Sequence, residues 1–186
     1  MPYQTTTPTN DSHGHSRTPE KDPGEMPVAG PLPTCREVVQ ASKMPGSKWS
    51  ASSVMPPLGA LPTAARAARG HVRSVLAAWG MNVIADTAEL IVDELVANAV
   101  NASTDRDGTA LYGTDGRLLV VRLFLYSDGT RLLAEVWDQA PGAPVSRQAG
   151  RWDENGRGLA MITELGATWG WYPAQDAKCV WAEMPL

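Results

Sequence analysis

Between Pro62 and Trp79, apolar side chains recur at Ala65, Ala68, Val72, Val75, Leu76 and Trp79, the spacing of one helical face. Arg66, Arg69 and Arg73 fall on the other side, and Gly80 supplies a stop. A second helix is expected from about Ile84 to Asn101, with Leu90, Ile91, Leu95 and Val96 among its apolar positions. Beyond a polar, glycine-containing loop from Ser103 to Gly116 the pattern becomes strand-like. Leu118 to Tyr126 and Arg131 to Trp137 read as two strands joined by Ser127-Asp128-Gly129-Thr130, a hairpin signal. A loop rich in Gly, Pro and Arg (Gln139 to Asn155) leads into a short helix from about Arg157 to Leu165. Two more strands, Ala167 to Tyr172 and Lys178 to Met184, close the chain. The pattern predicts an α+β fold: a two-layer α/β sandwich, mostly antiparallel sheet, with helices on one face.

Residues 1–54 carry no such period. They are rich in Pro, Thr, Ser and Gly with interleaved charges, a composition that buries too little apolar surface to offset the entropy of ordering. They are expected to form a disordered N-terminal tail ahead of one domain at 55–186, with one short apolar patch at Cys35, Val38 and Val39. The 186-residue chain has a formal net charge of -4, so no global field argues for nucleic acid or an anionic membrane as partner. No apolar run approaches the ~20 residues of a membrane span, and Met1 to Asn10 lacks the basic and apolar segments of a signal peptide. These features place the protein in the cytoplasm, where Cys35 and Cys179 read as isolated thiols. His13, His15 and His71 have no zinc-site spacing with the cysteines.

Three local features carry chemistry. Glu94, Asn98 and Asn101 stand at i, i+4 and i+7 of the second helix and form one polar stripe beside apolar Leu95 and Val96. Most such stripes are solvated faces, yet two Asn three residues apart are mediocre helix formers. Next, the strand ending Val136-Trp137 stops at Asp138, followed by Gln139-Ala140-Pro141-Gly142. A carboxylate there suits the exocyclic amine of a base, and Asp is equally a common turn opener. Last, Asn155-Gly156-Arg157-Gly158-Leu159 stands before an apolar helix. Glycines at a helix start let phosphate approach free N–H groups, although Asn155 also suits an N-cap and Gly156 a turn. The common phosphate loop, G-x-x-x-x-G-K-[ST], is absent from the sequence.

In this order, an acid/amide helix, a strand ending in Asp and a Gly-x-Gly helix start, the chain resembles the ATP-binding superfamily of DNA gyrase, histidine kinases and mismatch-repair ATPases (GHKL). Within it the segments Glu94-Leu95-Val96-Ala97-Asn98-Ala99-Val100, Val136-Trp137-Asp138, Gly156-Arg157-Gly158-Leu159 and Val180-Trp181-Ala182-Glu183 are most similar to small anti-sigma-factor serine/threonine kinases. The resemblance spans roughly Met55 to Leu186. It implies ATP and Mg²⁺ as ligands: Asn98 would hold the Mg²⁺ that bridges the phosphates, and Glu94 would take the proton of the incoming hydroxyl or water. Asp138 would accept from the adenine amine. Gly142, Gly156 and Gly158 would line the phosphates, Arg157 would add a cation, and Arg147 and Arg151 would reach from a lid. Cys179 stands where a Thr that helps hold a water against adenine is usual, within Ala177-Lys178-Cys179 in place of Gly-Lys-Thr. Ala140 replaces the first glycine of Asp-x-Gly-x-Gly, and Ala102 stands where relatives carry His.

The resemblance implies a protein kinase that phosphorylates a regulatory partner and sequesters a sigma factor, with neither nucleic acid nor membrane as partner. Two-fold dimerisation is common among such proteins. The departures at Ala140 and Cys179 support an alternative: a binding module of the same fold that inhibits its partner without phosphorylating it. A histidine-kinase fragment is disfavoured because no long helical hairpin carries a phospho-acceptor His.

Overall fold

A computed structural model describes residues 49–142, 144, 157–174 and 177–186. Strands β1 (Ala51–Val54) and β2 (Leu58–Gly59) lead into helix α1 (Thr63–Ala78). A 3₁₀ turn (Asn82–Ile84) opens helix α2 (Ala85–Ala102). Then come β3 (Val120–Ser127), β4 (Arg131–Asp138), helix α3 (Arg157–Glu164), β5 (Thr168–Ala174) and β6 (Ala177–Pro185). The strands form one antiparallel sheet in the order β1-β3-β4-β6-β5, with β2 also paired to β3. This is the α+β arrangement that the hydrophobic pattern predicts.

The helices cover one face because their apolar stripes demand it. Ala64, Ala68, Val72 and Leu76 of α1 are buried, as are Ala88, Ile91, Val92, Leu95, Val96, Ala99 and Val100 of α2. They share one core with Val121, Leu123 and Leu125 of β3, Leu132, Ala134 and Val136 of β4, and Val180, Ala182 and Met184 of β6. Burying one Val or Leu is worth about 1.5–3 kcal/mol. The arginine side of α1 adds a smaller term: Arg69 pairs with Asp93 at 3.5 Å, and Arg73 forks onto Glu89 at 2.5 and 3.0 Å. Exposed ion pairs are screened by water and contribute little, so apolar packing is what joins α1 to α2. Among the described residues no helix is long and apolar enough to cross a membrane.

The expected hairpin forms between β3 and β4, and one carboxylate organises it. Asp128 Oδ1 accepts from the Thr130 amide at 2.9 Å and hydroxyl at 2.7 Å, while Oδ2 takes Arg131 Nε at 2.9 Å. These donors hold the Asp128 carboxyl well below the usual range. Gly129 supplies the φ of +88° that the turn requires.

Residues just upstream of Met55, assigned to the tail from composition, belong to the sheet. β1 pairs with β3 from Ala51↔Ser127 to Val54↔Phe124. Ala-Ser-Ser-Val has no apolar alternation to announce a strand; backbone bonds to β3 hold it, continued by the Ser50 amide to the Ser127 carbonyl at 2.8 Å.

The face of the sheet away from the helices is apolar too. Phe124, Tyr126, Leu133, Trp137 and Cys179 form a second buried cluster. Trp49 stacks at 5.7 Å from Tyr126, and Tyr172 meets Trp137 edge-on at 5.5 Å. Buried among them, Glu135 accepts from Tyr172 Oη at 3.2 Å and from Trp137 Nε1 at 3.4 Å. Burial pushes its carboxyl from an ordinary 4.5 up to about 7, against the pull of those two donors.

A raised carboxyl binds its proton more tightly folded than unfolded, so folding stability falls as pH rises from 4.5 through about 7. The rise from 4.5 to about 7 makes the loss on the order of 3 kcal/mol. Glu135→Gln should abolish this slope and leave the variant more stable than the parent at pH 8. Denaturant midpoints of both proteins from pH 4 to 8 check it; parallel curves would refute the assignment.

Candidate functional site

Side chains on a strand alternate between faces, so Asp138, two residues past buried Val136, faces the helices. β4 ends there, and the register sets Lys178, near the start of β6, directly opposite. Lys178 Nζ donates to Asp138 Oδ1 at 2.6 Å and to the Ala140 carbonyl at 2.8 Å. The Ala140 amide donates back to Oδ1 at 2.9 Å. Asp138 and Lys178 are 0% and 4% exposed. Asp138 Oδ2 is buried and accepts no hydrogen bond among the described residues. Burial pushes the Asp138 carboxyl above its ordinary value, while the Lys178 ammonium and the Ala140 amide draw it back.

Glu94 and Asn98 project from α2, both half-buried, one turn apart. Leu95 and Val96 fix their direction by packing into the core. Glu94 lies against the first turn of α3. A Cβ built at Gly158 would overlap the Glu94 carboxylate oxygen and come within 3.0 Å of Cδ and 3.4 Å of Cγ. Glycine at 158 therefore makes room for Glu94, a reason separate from the phosphate approach expected of the Gly-x-Gly. Burial raises the Glu94 carboxyl, with neighbouring Asp93 adding to the effect. Glu94 and Asn98 make no hydrogen bond among the described residues. Asn101, the third member of the stripe, is exposed at the helix end.

The structure thus brings Glu94 against Gly158, sets Asn98 one turn along the same helix, and puts Asp138 on the same side of the sheet. Gly142 lies in an exposed bend four residues past Asp138. Gly156, Arg147, Arg151 and Asn155 lie outside the described residues, as do His13, His15 and Cys35. Arg157 opens α3, and its side chain is likewise outside the description.

Cys179 is a correction. It pairs with Trp137 and sits in the aromatic cluster on the opposite face, so its thiol, pushed well up by burial, is turned away from Asp138. Lys178, one residue earlier, is the side chain that meets Asp138. Strand period should have exposed this, since neighbours on one strand cannot share a face. The clue was muted because Val180, Ala182 and Met184 are no more apolar than Cys179 and Trp181 on the other side.

The model of the histidine kinase-like ATPase domain family matches residues 58–182. That span includes Glu94, Asn98, Asp138, Gly158 and Lys178. No curated protein matches the sequence. Among solved structures, the catalytic domain of the histidine kinase ThkA in a nucleotide-free form is similar, at 12% identity and a TM-score of 0.42. That likeness covers 70% of this chain and 94% of that one.

Gly158→Ala would place a methyl against the far end of the flexible Glu94 side chain, which would swing aside. Alanine gains about 1 kcal/mol of helix propensity over glycine, so the melting temperature should hold or rise. The Glu94 carboxyl should at the same time titrate nearer its ordinary value. Carboxyl-carbon NMR and a thermal melt read the two effects; a lower melting temperature with unchanged Glu94 titration would mean that Gly158 answers to some other contact.

Proposed function

The chain belongs to the histidine kinase-like ATPase domain family, and from that membership we propose an ATP-binding regulatory protein of the anti-sigma-factor kinase type. It would transfer the γ-phosphoryl group of ATP to a serine or threonine hydroxyl of a regulatory protein partner, in the cytoplasm. The observation that carries the reading is Glu94: a half-buried carboxylate with a raised pKa, held against the first turn of α3 with no hydrogen-bond partner among the described residues.

Phosphoryl transfer asks the protein mainly to position groups and to neutralise charge. Asp138 Oδ2, buried and unfilled, fits the adenine amine. Asn98, whose amide oxygen makes no hydrogen bond among the described residues, fits Mg²⁺, a hard cation that keeps few protein ligands. Bound Mg²⁺ would neutralise charge on the phosphates. Glu94 would orient the attacking hydroxyl and take its proton as the new P–O bond forms, and ADP would leave with the electrons of the broken bond. A carboxylate with a raised pKa is the stronger base, which is what this step needs. Gly142 and Gly158, with Gly156 and Arg157, would border the phosphates. The partner, a sigma factor or the antagonist of an anti-sigma factor, follows from the resemblance of these segments, as does two-fold association.

A second reading, nucleotide-dependent binding without phosphotransfer, is favoured by Lys178, which already occupies one oxygen of Asp138.

Calorimetric titration of the full chain should show Mg²⁺-dependent binding of ATP in preference to GTP. Failure to bind at millimolar nucleotide would refute the reading. Asp138→Asn should weaken ATP by about 10–100-fold, the worth of one charge-assisted hydrogen bond. Glu94→Gln should keep ATP affinity within about threefold and cut phosphotransfer by about 10²–10⁴. The wild-type rate should rise with pH through the raised Glu94 pKa, and the Gln variant should lack that limb. Loss of binding in Glu94→Gln would make the stripe structural.

A further inference from the structure

Lys178 has no part in the function just proposed, yet it is among the most tightly held polar side chains of the site. An ammonium has three N–H groups. Two are spent, on Asp138 Oδ1 at 2.6 Å and on the Ala140 carbonyl at 2.8 Å. Oδ1 is doubly filled, because the Ala140 amide reaches it at 2.9 Å. Oδ2 accepts nothing among the described residues. Among the described residues, the end of β4 therefore presents one open acceptor on a carboxylate, and the ammonium bound to that carboxylate has one N–H left uncommitted.

We propose that Asp138 and Lys178 act as an acceptor–donor pair that reads the edge of the nucleotide base, with Lys178 donating to ring nitrogen N1 of adenine. The proposal rests on the ATP-binding reading and deepens it by naming a specificity-determining residue. Adenine presents an exocyclic amine donor beside the N1 acceptor, the complement of a carboxylate acceptor beside an ammonium donor. Guanine presents the reverse, a carbonyl acceptor beside an N1–H donor. Against this pair its acceptor would face the carboxylate and its donor the ammonium, and two buried polar groups would be left unpaired. At 0% and 4% exposure these contacts are made out of water, where a mismatch is costly. The two bonds from Lys178, to Asp138 and to the Ala140 carbonyl, fix the donor before the base arrives, so little further ordering is needed on binding.

The test uses the full chain, titrated with ATP, GTP and 1-deaza-ATP, in which N1 is replaced by C–H. The wild type should bind ATP about 10–100-fold more tightly than 1-deaza-ATP, the range for a hydrogen bond to a charged group. In Lys178→Met the two should bind equally, with ATP falling toward the analogue and the margin over GTP narrowing. Lys178→Arg, which keeps a cation and N–H donors, should retain the preference for ATP. Equal wild-type affinity for ATP and 1-deaza-ATP overturns the proposal and leaves ATP binding standing, as does an undiminished preference in the Met variant. Should that variant fail to fold, the wild-type comparison decides alone. No ATP binding by the wild type overturns the functional reading and the base-reading pair together.

Discussion

The register of β4 against β6 sets Asp138 opposite Lys178 and Trp137 opposite Cys179, and both layers of the protein follow from it. A slip of one residue would exchange the faces. For β6 it would drive the Lys178 ammonium in among Phe124 and Tyr126, turn the Cys179 thiol toward the helices, and leave the Asp138 carboxylate without its cation. The Asp138–Lys178 pair makes that slip expensive. A buried ion pair adds little stability over a well-packed apolar pair, but leaving one charge alone costs about 3–5 kcal/mol. Its contribution is to specify one register, and that register carries the candidate base contact to the correct side of the sheet.

Two buried carboxyls three residues apart on β4 show how surroundings divide one chemistry. Asp138 faces the helices and meets a cation; Glu135 faces the other way and meets the neutral donors of Trp137 and Tyr172. Neutral donors do not offset desolvation, and the Glu135 carboxyl rises to about 7. Desolvation raises the Asp138 carboxyl as well, but the ammonium beside it and the Ala140 amide draw it back toward the charged form. A charged acceptor is what a base amine requires, whereas a carboxyl that holds its proton near neutral pH suits an apolar cluster.

Helix α2 serves the core and the site at once. Ile91, Leu95 and Val96 pin it to the sheet, and Glu94 and Asn98 inherit that rigidity on the adjoining face. The α1 arginines reach only Asp86, Glu89 and Asp93 among the α2 acids, leaving Glu94 to α3. The arginine stripe on α1 is thus an exposed face on which Arg69 and Arg73 pair with acids of α2.

Much of the molecule was legible in its sequence, because a helix and a strand each impose a period on the side chains they bury. The apolar positions from Ala68 to Leu76 and from Ile91 to Val96 announced both long helices, and Asp128-Gly129 announced the hairpin. The stripe of Glu94 and Asn98, the strand-ending Asp138 and the glycine at 158 marked the site by residue type and spacing. β1 was hidden because its contribution is backbone hydrogen bonding to β3, which Ala-Ser-Ser-Val does not advertise. The partner of Asp138 was hidden for a different reason. β6 is apolar on both faces, so its period could not say which face meets the helices. The sequence by itself determined which elements form and which residue types could do chemistry; only the tertiary structure decided which of two adjacent side chains meets Asp138, since cross-strand pairing is a contact between residues 40 positions apart.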